Sequence, residues 1–171
     1  NDAYGKYALY PCGNDKEHLK PCTEGAFSLE GSTGKSSAVM PYYTISYDLD
    51  QKYGENVGNS FNKYLIQDLL REELGYEGVV CTDWGITHDM GETEEVFAGK
   101  CWGVEKLTEA ERHCKAIEAG VDQFGGNNDG APVMEAYMML CEKYGEKEAE
   151  ARFRRSAHRL LLNIFRTGLF E

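Results

Sequence analysis

A short apolar strand that ends in an acid and an indole is the feature that most constrains how this chain folds. Residues 78–84 read Gly-Val-Val-Cys-Thr-Asp-Trp, a run typical of a strand buried on both faces of a parallel sheet. A helical pattern precedes it over residues 59–75, where the apolar side chains at 61, 65, 66, 69, 70 and 74 share one face. The order helix, turn, buried strand and acid makes Asp83 a catalytic candidate, because catalytic side chains of parallel α/β barrels lie at the carboxyl ends of strands.

The same alternation of strand and helix recurs along the chain. Strands are expected near 37–43, 78–83 and 120–124, each followed by a helical pattern. The 171 residues are fewer than the about 250 of a complete (β/α)₈ barrel. We therefore expect an α/β fold that forms part of a TIM-like barrel, with about three βα units and a closing C-terminal helix. Residues 1–24 lack periodicity and are expected to be an irregular lead-in segment.

The helix boundaries in the second half of the chain carry clear signals. Thr108 and Glu111 form a capping box, and Gly120 is expected to end the helix that follows it. Pro132 suits the first turn of the next helix. Its inner side is expected to carry Val133, Tyr137, Leu140, Cys141 and Tyr144. The last helix is expected over about 148–167, with an apolar stripe formed by Phe153, Ala157, Leu160, Leu161, Ile164 and Phe165.

Composition excludes several classes of function. The net charge of −11 argues against a nucleic-acid partner, because phosphate binding needs clustered lysines and arginines. No apolar run approaches the roughly 18 residues of a membrane span. The first residues also lack the basic end and apolar core of a signal peptide. The six cysteines have no metal-site spacing, so we expect mostly free or buried thiols, with a disulfide as the alternative.

Two segments resemble ligand-binding motifs, one for phosphate and one for a metal ion, but their spacing favours ordinary turns and loops. Residues 31–37 superficially resemble a phosphate-binding loop, but only two residues separate the first glycine from the Gly-Lys pair, and the strand follows instead of preceding. Residues 85–107 form a long loop whose possible ligands are His88, Asp89, Glu92, Glu94 and Glu95. A metal site is the alternative there; we expect a solvated acidic loop and no metal.

Four motifs, which occur along the chain in the family's order, resemble glycoside hydrolase family 3, the β-glucosidase and β-xylosidase family. The stretch 56–85 is similar to the family's nucleophile region, and Val-Met-Pro-Tyr-Tyr at 39–43 is similar to its strand ending in Val-Met-x-x-Tyr. Residues 119–126, Ala-Gly-Val-Asp-Gln-Phe-Gly-Gly, resemble a later strand in one branch of the family. Residues 156–171 resemble the helix that closes its barrel domain. The resemblance covers nearly the whole chain and identifies it as the second half of the barrel, over residues 1–171.

The resemblance implies roles for four side chains. The family's nucleophile is the aspartate that precedes tryptophan in this motif, which implies Asp83. A retaining glycosidase needs such a carboxylate and a second acid, with the two carboxyl groups about 5–5.5 Å apart. Trp84 is expected to form an aromatic wall for the sugar, a core indole being the alternative. Tyr43 is expected to reach the nucleophile or the sugar, and Met40 to border the pocket or pack in the barrel.

Other expectations concern what lies outside these residues. The family's Lys-His pair and other sugar-binding residues of the first half-barrel match nothing here, and its general acid usually comes from another domain or loop. The expected partners are a carbohydrate substrate, the remaining half of the barrel and further domains of the parent enzyme, with no cofactor. Asp122 also ends a strand, but the resemblance gives it no catalytic role. Many relatives carry an acid where this chain has Asn127 and Asn128.

The function predicted from this resemblance is that of a retaining glycoside hydrolase that acts on a β-linked glucoside or similar β-glycoside. The chain by itself is expected to be an inactive fragment of the catalytic domain. One alternative is a carbohydrate-binding or assembly module that does not hydrolyse its ligand. Another is an unrelated parallel α/β enzyme in which Asp83 is a general base. The sequence does not indicate a compartment.

Overall fold

The structure is a computed structural model that describes residues 5–30, 34–89 and 99–169. Its strands are β1 (Tyr7–Ala8), β2 (Ala38–Val39), β3 (Ile45–Ser46) and β4 (Val79–Val80). Its α-helices are α1 (Asp15–Lys20), α2 (Glu109–Ala119), α3 (Ala131–Tyr144) and α4 (Glu146–Arg166). Wider π-type helical segments cover Pro21–Ala26 and Tyr64–Glu73, and short 3₁₀ turns cover Pro11–Gly13 and Asn59–Phe61. None of the helices within these ranges is long and apolar enough to cross a membrane.

The named strands pair in parallel, and for β2 and β4 this is what the alternation of strand and helix predicts. In one sheet β2 pairs with β4, with Ala38 opposite Val79. In the other, β1 pairs with β3. Cys81, directly after β4, forms a further parallel bridge with Gln123. Three segments therefore lie side by side in the order β2, β4 and the stretch around Gln123, which is the arrangement of consecutive βα units.

The strands are shorter than the sequence predicts. The segment expected at 120–124 contributes only the Cys81–Gln123 bridge. Its irregularity has a local cause, because the amides of both Asp122 and Gln123 donate to the same Val80 carbonyl oxygen, at 2.8 and 3.2 Å. Two residues opposite one partner interrupt a regular ladder. The described part of the chain therefore shows an α/β fold with small parallel sheets.

The expected helices form, with some changes at their ends. The capping box is present: the Glu111 amide donates to Thr108 Oγ1 at 3.3 Å, and the Thr108 amide donates to Glu111 Oε2 at 2.7 Å. Gly120 ends α2 with a positive φ of 115°, and Pro132 lies in the first turn of α3. The helical pattern predicted over 59–75 is divided into Asn59–Phe61 and Tyr64–Glu73. The lead-in, expected to be irregular, contains β1 and α1.

Two clusters of buried side chains form the core. The first joins the Tyr64–Glu73 helix, β4 and α2, through residues such as Ile66, Leu70, Val80 and Ala116. The second joins α2, α3 and α4; its buried members are Cys114, Ile117, Ala136, Leu140 and Ala149. All six cysteines lie within the described ranges and have free thiols.

The ends of the last two helices are more exposed than their apolar patterns predict. Tyr144, expected on the inner side of α3, is exposed, and so are Leu161, Ile164 and Phe165 of the predicted α4 stripe. For α4 the cause is a difference in length, since α3 has 14 residues, α4 has 21, and the two are joined at Gly145. At 1.5 Å per residue, the final turns of α4 extend beyond the start of α3. We call residues 160–166 the α4 overhang.

The carboxylate of Asp122 connects three elements in the interior. Its side chain has no exposed surface. Oδ2 accepts from Arg71 Nη2 at 2.6 Å and from the Val80 amide at 3.1 Å. Oδ1 accepts from Ser156 Oγ at 2.6 Å and from Arg159 Nη1 at 3.1 Å. Asp122 therefore ties the Tyr64–Glu73 helix, β4 and α4 together, and its oxygens are fully engaged in this structural role.

The buried Arg71 and the largely buried Arg152 complete this cluster. Arg71 Nη1 donates to the carbonyl oxygens of Tyr76 at 2.8 Å and Gly78 at 2.6 Å, so it also fixes the turn that enters β4. Arg152 donates to the carbonyl oxygens of Ile117 and Val121, at 3.0 and 2.6 Å. Burial lowers the pKa of Arg152 to about 10, which the nearby Asp122 charge opposes. Both guanidinium groups depend on this carboxylate for their principal counter-charge.

Replacing Asp122 is expected to destabilise the protein strongly. Asp122→Ala leaves Arg71, Arg152 and Arg159 without that counter-charge, and breaking a buried pair from one side costs about 3–5 kcal/mol. Denaturant unfolding measures the loss of free energy. The matched control is Glu150→Ala, which removes a carboxylate that pairs with Arg154 at 2.6 Å on the exposed face of α4. This control is expected to unfold almost like the unaltered protein; equal midpoints for the two variants would contradict the structural role of Asp122.

Candidate active site

Asp83 lies just past the carboxyl end of β4, two residues after the Cys81–Gln123 bridge. Only 8% of its surface is exposed. Its Oδ1 accepts the N–H of Trp84 at 2.8 Å. Burial, and after it the charge of Asp83, raises the pKa of the neighbouring Cys81 thiol. The buried strand thus delivers a largely enclosed carboxylate to the edge of the sheet where parallel α/β proteins form their sites.

Tyr43, four residues past β2, meets Asp83 at this edge. Its hydroxyl donates to the Trp84 carbonyl oxygen at 2.9 Å. Burial, and then hydrogen bonding with the Asp83 carboxylate, raises the pKa of Tyr43 to about 12. At neutral pH the phenol therefore keeps its proton and acts as a hydrogen-bond donor beside the acid. The structure brings together Tyr43, Asp83 and Trp84, three of the four site residues expected from the sequence.

Trp84 presents one face of its indole to solvent. It is 49% exposed, and its other face lies on the backbone of Gly125 and Gly126. A Cβ atom at Gly125 would lie 2.8 Å from Trp84 Cε3, and one at Gly126 would lie 2.5 Å from Trp84 Cδ1. Such approaches are too short for any side chain at either position. The ring is therefore a half-exposed plate supported by backbone, in contrast to the core indole considered as the alternative.

Backbone hydrogen bonds join the two loops that carry this plate and its support. The Thr82 amide donates to the Gln123 carbonyl oxygen at 2.9 Å, and the Gly125 amide donates to Thr82 Oγ1 at 2.8 Å. The Gly85 amide donates to the Gly125 carbonyl oxygen at 3.2 Å. The segment after Gln123 thus follows the segment around Asp83 and continues the parallel alignment of the strands into the loops.

Met40, the fourth expected residue, has apolar neighbours. It is about half exposed and borders a cavity of about 280 Å³. The same cavity is lined by Leu19 of α1 and by Leu65 and Leu69 of the Tyr64–Glu73 helix. These described neighbours belong to the scaffold. A larger cavity, of about 850 Å³, is lined by Ser37 and Gly78 before β2 and β4, at the end of the strands opposite Asp83.

The long loop that follows Asp83 is anchored by Arg112 of α2. This buried guanidinium donates to the carbonyl oxygens of Thr87 and Glu105, each at 3.0 Å, and pairs with Asp89 at 2.7 Å. The candidate ligand His88 lies 3.6 Å from Glu109. Glu92, Glu94 and Glu95 lie outside the described residues. Within the described ranges, no three histidine, cysteine or acidic side chains come together in a way that could hold a metal ion.

Sequence reasoning missed the part that His113 plays in this region. The ring is fully buried in α2 and contacts Phe124 at 4.3 Å between centroids. Nδ1 lies 2.8 Å from the Glu109 carbonyl oxygen, while Nε2 lies 3.4 Å from Asn127 Nδ2. Burial lowers the pKa of His113, so the neutral ring accepts from the Asn127 amide. A lone histidine at a helical position carries no sequence signal for this contact.

Sequence reasoning also missed Lys100 and Trp102, which lie at the end of the long loop and contact Tyr43. Lys100 Nζ lies 4.9 Å from the centroid of the Tyr43 ring. The Trp102 ring approaches the same ring edge-on, with the centroids 6.3 Å apart. Neither residue belongs to a recognisable motif, because the contact depends on how the loop closes.

Comparison with known proteins identifies the family. Residues 15–162 match the sequence profile described as the Glycosyl hydrolase family 3 N terminal domain. The chain belongs to glycosyl hydrolase family 3. It is 41% identical to a periplasmic beta-glucosidase/beta-xylosidase of Dickeya chrysanthemi, over 100% of this chain and 26% of that protein. It is 40% identical to a probable beta-glucosidase C of Aspergillus flavus, over 99% of this chain and 24% of that protein.

A solved structure agrees with this family membership. The glycoside hydrolase family 3 beta-N-acetylglucosaminidase from Paenibacillus sp. FPU-7 superposes with a TM-score of 0.59 at 26% identity, covering 91% of this chain and 26% of that one. This family 3 chain thus spans about a quarter of the length of these relatives. The family membership excludes the unrelated α/β enzyme considered as an alternative.

The glycine support of Trp84 leads to a test in solution. Gly126→Ala places a methyl group against the indole at a position where φ is +67°. The left-handed backbone alone costs about 1–2 kcal/mol for a residue other than glycine. We expect at least this loss in the free energy of unfolding, because the methyl group also clashes with the ring. Acrylamide quenching of tryptophan fluorescence is expected to change, because Trp84 is exposed and Trp102 is buried.

The matched control for this substitution is Gly130→Ala. Gly130 has a φ of −81° and open space around its Cβ position. It is expected to keep both the stability and the quenching of the unaltered protein. If Gly126→Ala behaved in the same way, the indole would not rest on the glycine pair.

Proposed function

We propose that this chain is the nucleophile-bearing part of the catalytic (β/α)₈ barrel of a retaining glycoside hydrolase, with a β-linked glucoside or similar β-glycoside as substrate and Asp83 as nucleophile. The observation that carries the proposal is the position of Asp83. It is an enclosed carboxylate at the carboxyl end of a parallel strand, next to a phenol donor and a half-exposed indole. The β-glucosidase names of the relatives support the substrate class.

The surroundings of Asp83 suit a nucleophile. An attacking carboxylate must be ionised, and donors that hydrogen-bond to the charged form favour it. The Trp84 N–H is such a donor at 2.8 Å. In the proposed reaction a carboxylate oxygen of Asp83 bonds to the anomeric carbon as the leaving oxygen departs. A second acid protonates that oxygen, and water then hydrolyses the glycosyl–enzyme bond. The second acid is proposed to come from outside this chain.

The other site residues take roles that fit their surroundings. Trp84 offers the free face of its indole to the sugar ring, since the apolar faces of sugars stack on aromatic side chains. Tyr43 orients the nucleophile, or reaches the sugar, through the hydroxyl that lies beside Asp83. Met40, half exposed on the segment that leads to Tyr43, borders the pocket in the complete barrel.

Exposed apolar surface supports the partial-barrel proposal. The α4 overhang presents Leu161 and Ile164 to solvent, and the parallel set β2, β4 and the Gln123 segment is much smaller than a closed eight-stranded barrel. Open strand edges and uncovered apolar faces are normally paired or covered. We propose that the remaining half of the barrel and further domains of the parent enzyme supply that cover.

Substitution of Asp83 tests the nucleophile. In the complete enzyme, Asp83→Ala is expected to lower turnover of a nitrophenyl β-glycoside by several orders of magnitude, because covalent catalysis loses its attacking group. A 2-fluoro glycoside is expected to label the peptide that contains Asp83, and mass spectrometry of a digest locates the label. Asp68→Ala is the control, since that carboxylate pairs with Lys52 at 2.6 Å on another surface. Labelling of another peptide, or near-normal turnover of Asp83→Ala, would overturn the assignment.

The 171 residues alone are expected to show no glycosidase activity. Without a positioned general acid and the rest of the sugar pocket, most of the transition state is unsupported. The open surface is also expected to cause self-association and dye binding. Light scattering, a hydrophobic dye and a chromogenic β-glucoside test these expectations. A monodisperse monomer that hydrolyses the substrate at the rate of the complete enzyme would contradict them.

In the complete enzyme, ligand binding without turnover would instead favour the carbohydrate-binding module.

A further inference from the structure

The glycine pair that supports Trp84 lies between two residues that contact the same histidine. Phe124, before the pair, packs on the buried ring of His113, with 4.3 Å between the ring centroids. Asn127, after the pair, places its Nδ2 atom 3.4 Å from His113 Nε2. Residues 124–127, which we call the support turn, therefore have both ends on one imidazole of α2. The glycines between these ends have no side chains that could hold the turn.

The neighbours of the His113 ring determine which of its nitrogens donates. Nδ1 lies 2.8 Å from the Glu109 carbonyl oxygen, which only accepts, so Nδ1 carries the hydrogen. Burial lowers the pKa of His113, and in the neutral ring Nε2 is then an acceptor. Thr87 Oγ1 lies 3.5 Å from this nitrogen, and Asn127 Nδ2 lies 3.4 Å from it. Nε2 is therefore a common acceptor for the loop after Asp83 and for the support turn.

The Asn127 side chain uses both of its polar atoms. Its Nδ2 also donates to Glu109 Oε1 at 3.4 Å, while its Oδ1 accepts the amide of Asp129 at 2.8 Å. These partners assign the orientation of the side-chain amide, because Nδ2 faces two acceptors and Oδ1 faces a backbone donor. A carboxylate here would present an acceptor to His113 Nε2 and a second negative charge to Glu109. The surroundings therefore fit asparagine and disfavour aspartate.

Trp84 lies between the two segments that meet at His113. Thr87 follows the indole by three residues. The support turn lies against the ring so closely that a Cβ atom at Gly126 would be 2.5 Å from Trp84 Cδ1. Main-chain atoms next to Asn127 therefore touch the indole. A change in the position of the support turn must change the position of the ring.

We infer that His113 and Asn127 are positioning residues for Trp84, which hold the support turn against the indole and so set the plane on which the sugar stacks. The inference rests on the proposed function, in which Trp84 forms the aromatic wall of a β-glycoside site. Stacking on this wall is present both before and during the reaction. A displaced indole therefore weakens binding of the ground state and of the transition state alike, which raises KM and leaves kcat nearly unchanged.

The principal test is Asn127→Asp in the complete enzyme, because this change replaces a donor by an acceptor and keeps the shape of the side chain. The enzyme is labelled with fluorotryptophan, and the fluorine resonance of Trp84 is the one that Trp84→Phe lacks. Asn127→Asp is expected to shift this resonance. It is also expected to raise KM for a nitrophenyl β-glucoside about tenfold, which corresponds to a loss of about 1.4 kcal/mol in binding, with little change in kcat.

Three further variants separate the hydrogen bond from packing and from a general effect of charge. His113→Phe keeps a ring against Phe124 and removes the Nε2 acceptor, so it is expected to shift the Trp84 resonance and to raise KM as well. Asn128→Asp makes the same substitution at the exposed neighbouring residue, and His158→Phe makes the same change on the exposed side of α4. Both controls are expected to keep the resonance and the KM of the unaltered enzyme.

The outcomes distinguish the inference from the proposed function. An unmoved Trp84 resonance or an unchanged KM in Asn127→Asp would overturn the inference and leave the proposed function in place. An equal effect of Asn128→Asp would also overturn it, since charge alone would then be the cause. If His113→Phe loses its circular dichroism spectrum, Asn127→Asp and Asn128→Asp decide the question by themselves. Labelling by a 2-fluoro glycoside of a peptide without Asp83 would remove the proposed function itself.

Discussion

The buried carboxylate of Asp122 is the interaction on which the rest of the structure depends. It gathers guanidinium groups from the Tyr64–Glu73 helix and from α4 and also accepts the amide of Val80 in β4. Of these elements, α4 lies far from the other two in the sequence. A largely buried charge cluster strongly favours one geometry, because any displacement leaves a charge or a donor without its partner. The Asp122 cluster therefore holds β4, the strand that leads to Asp83, in place.

That constraint reaches the candidate site through the backbone. The Asp122 and Gln123 amides both bond to Val80, and the following residues pair with Thr82 and Gly85. The loop after Gln123 consequently places Gly125 and Gly126 against the Trp84 ring. The structural carboxylate and the proposed nucleophile thus occupy similar strand-end positions, but they have different surroundings. Asp122 is surrounded by arginines, whereas Asp83 lies next to a phenol and an indole.

Local signals predicted a large part of this arrangement. The apolar run at Val79 and Val80 predicted β4, and the Thr108 capping box and Gly120 predicted both ends of α2, because each signal depends on neighbouring residues. The position of Asp83 at a strand end followed from the same pattern. The partners of Asp122 could not be predicted, since Arg71 and Arg159 lie on helices separated from it by tens of residues. The contacts of Lys100 and the exposure of the α4 overhang likewise depend on loop closure and on the relative lengths of two helices.

The support of Trp84 by a glycine pair has a consequence for how this site evolves. Side chains that surround a ligand are usually exchanged one at a time, and each exchange adjusts the fit. Beneath this indole there is no side chain to exchange, because Gly125 and Gly126 leave no room for a Cβ atom. The height and tilt of the ring are set by the main chain. With Trp84 in its proposed role as a sugar platform, new sugar preferences in descendants of this sequence have to arise in the loops facing the ring, while the indole keeps its place.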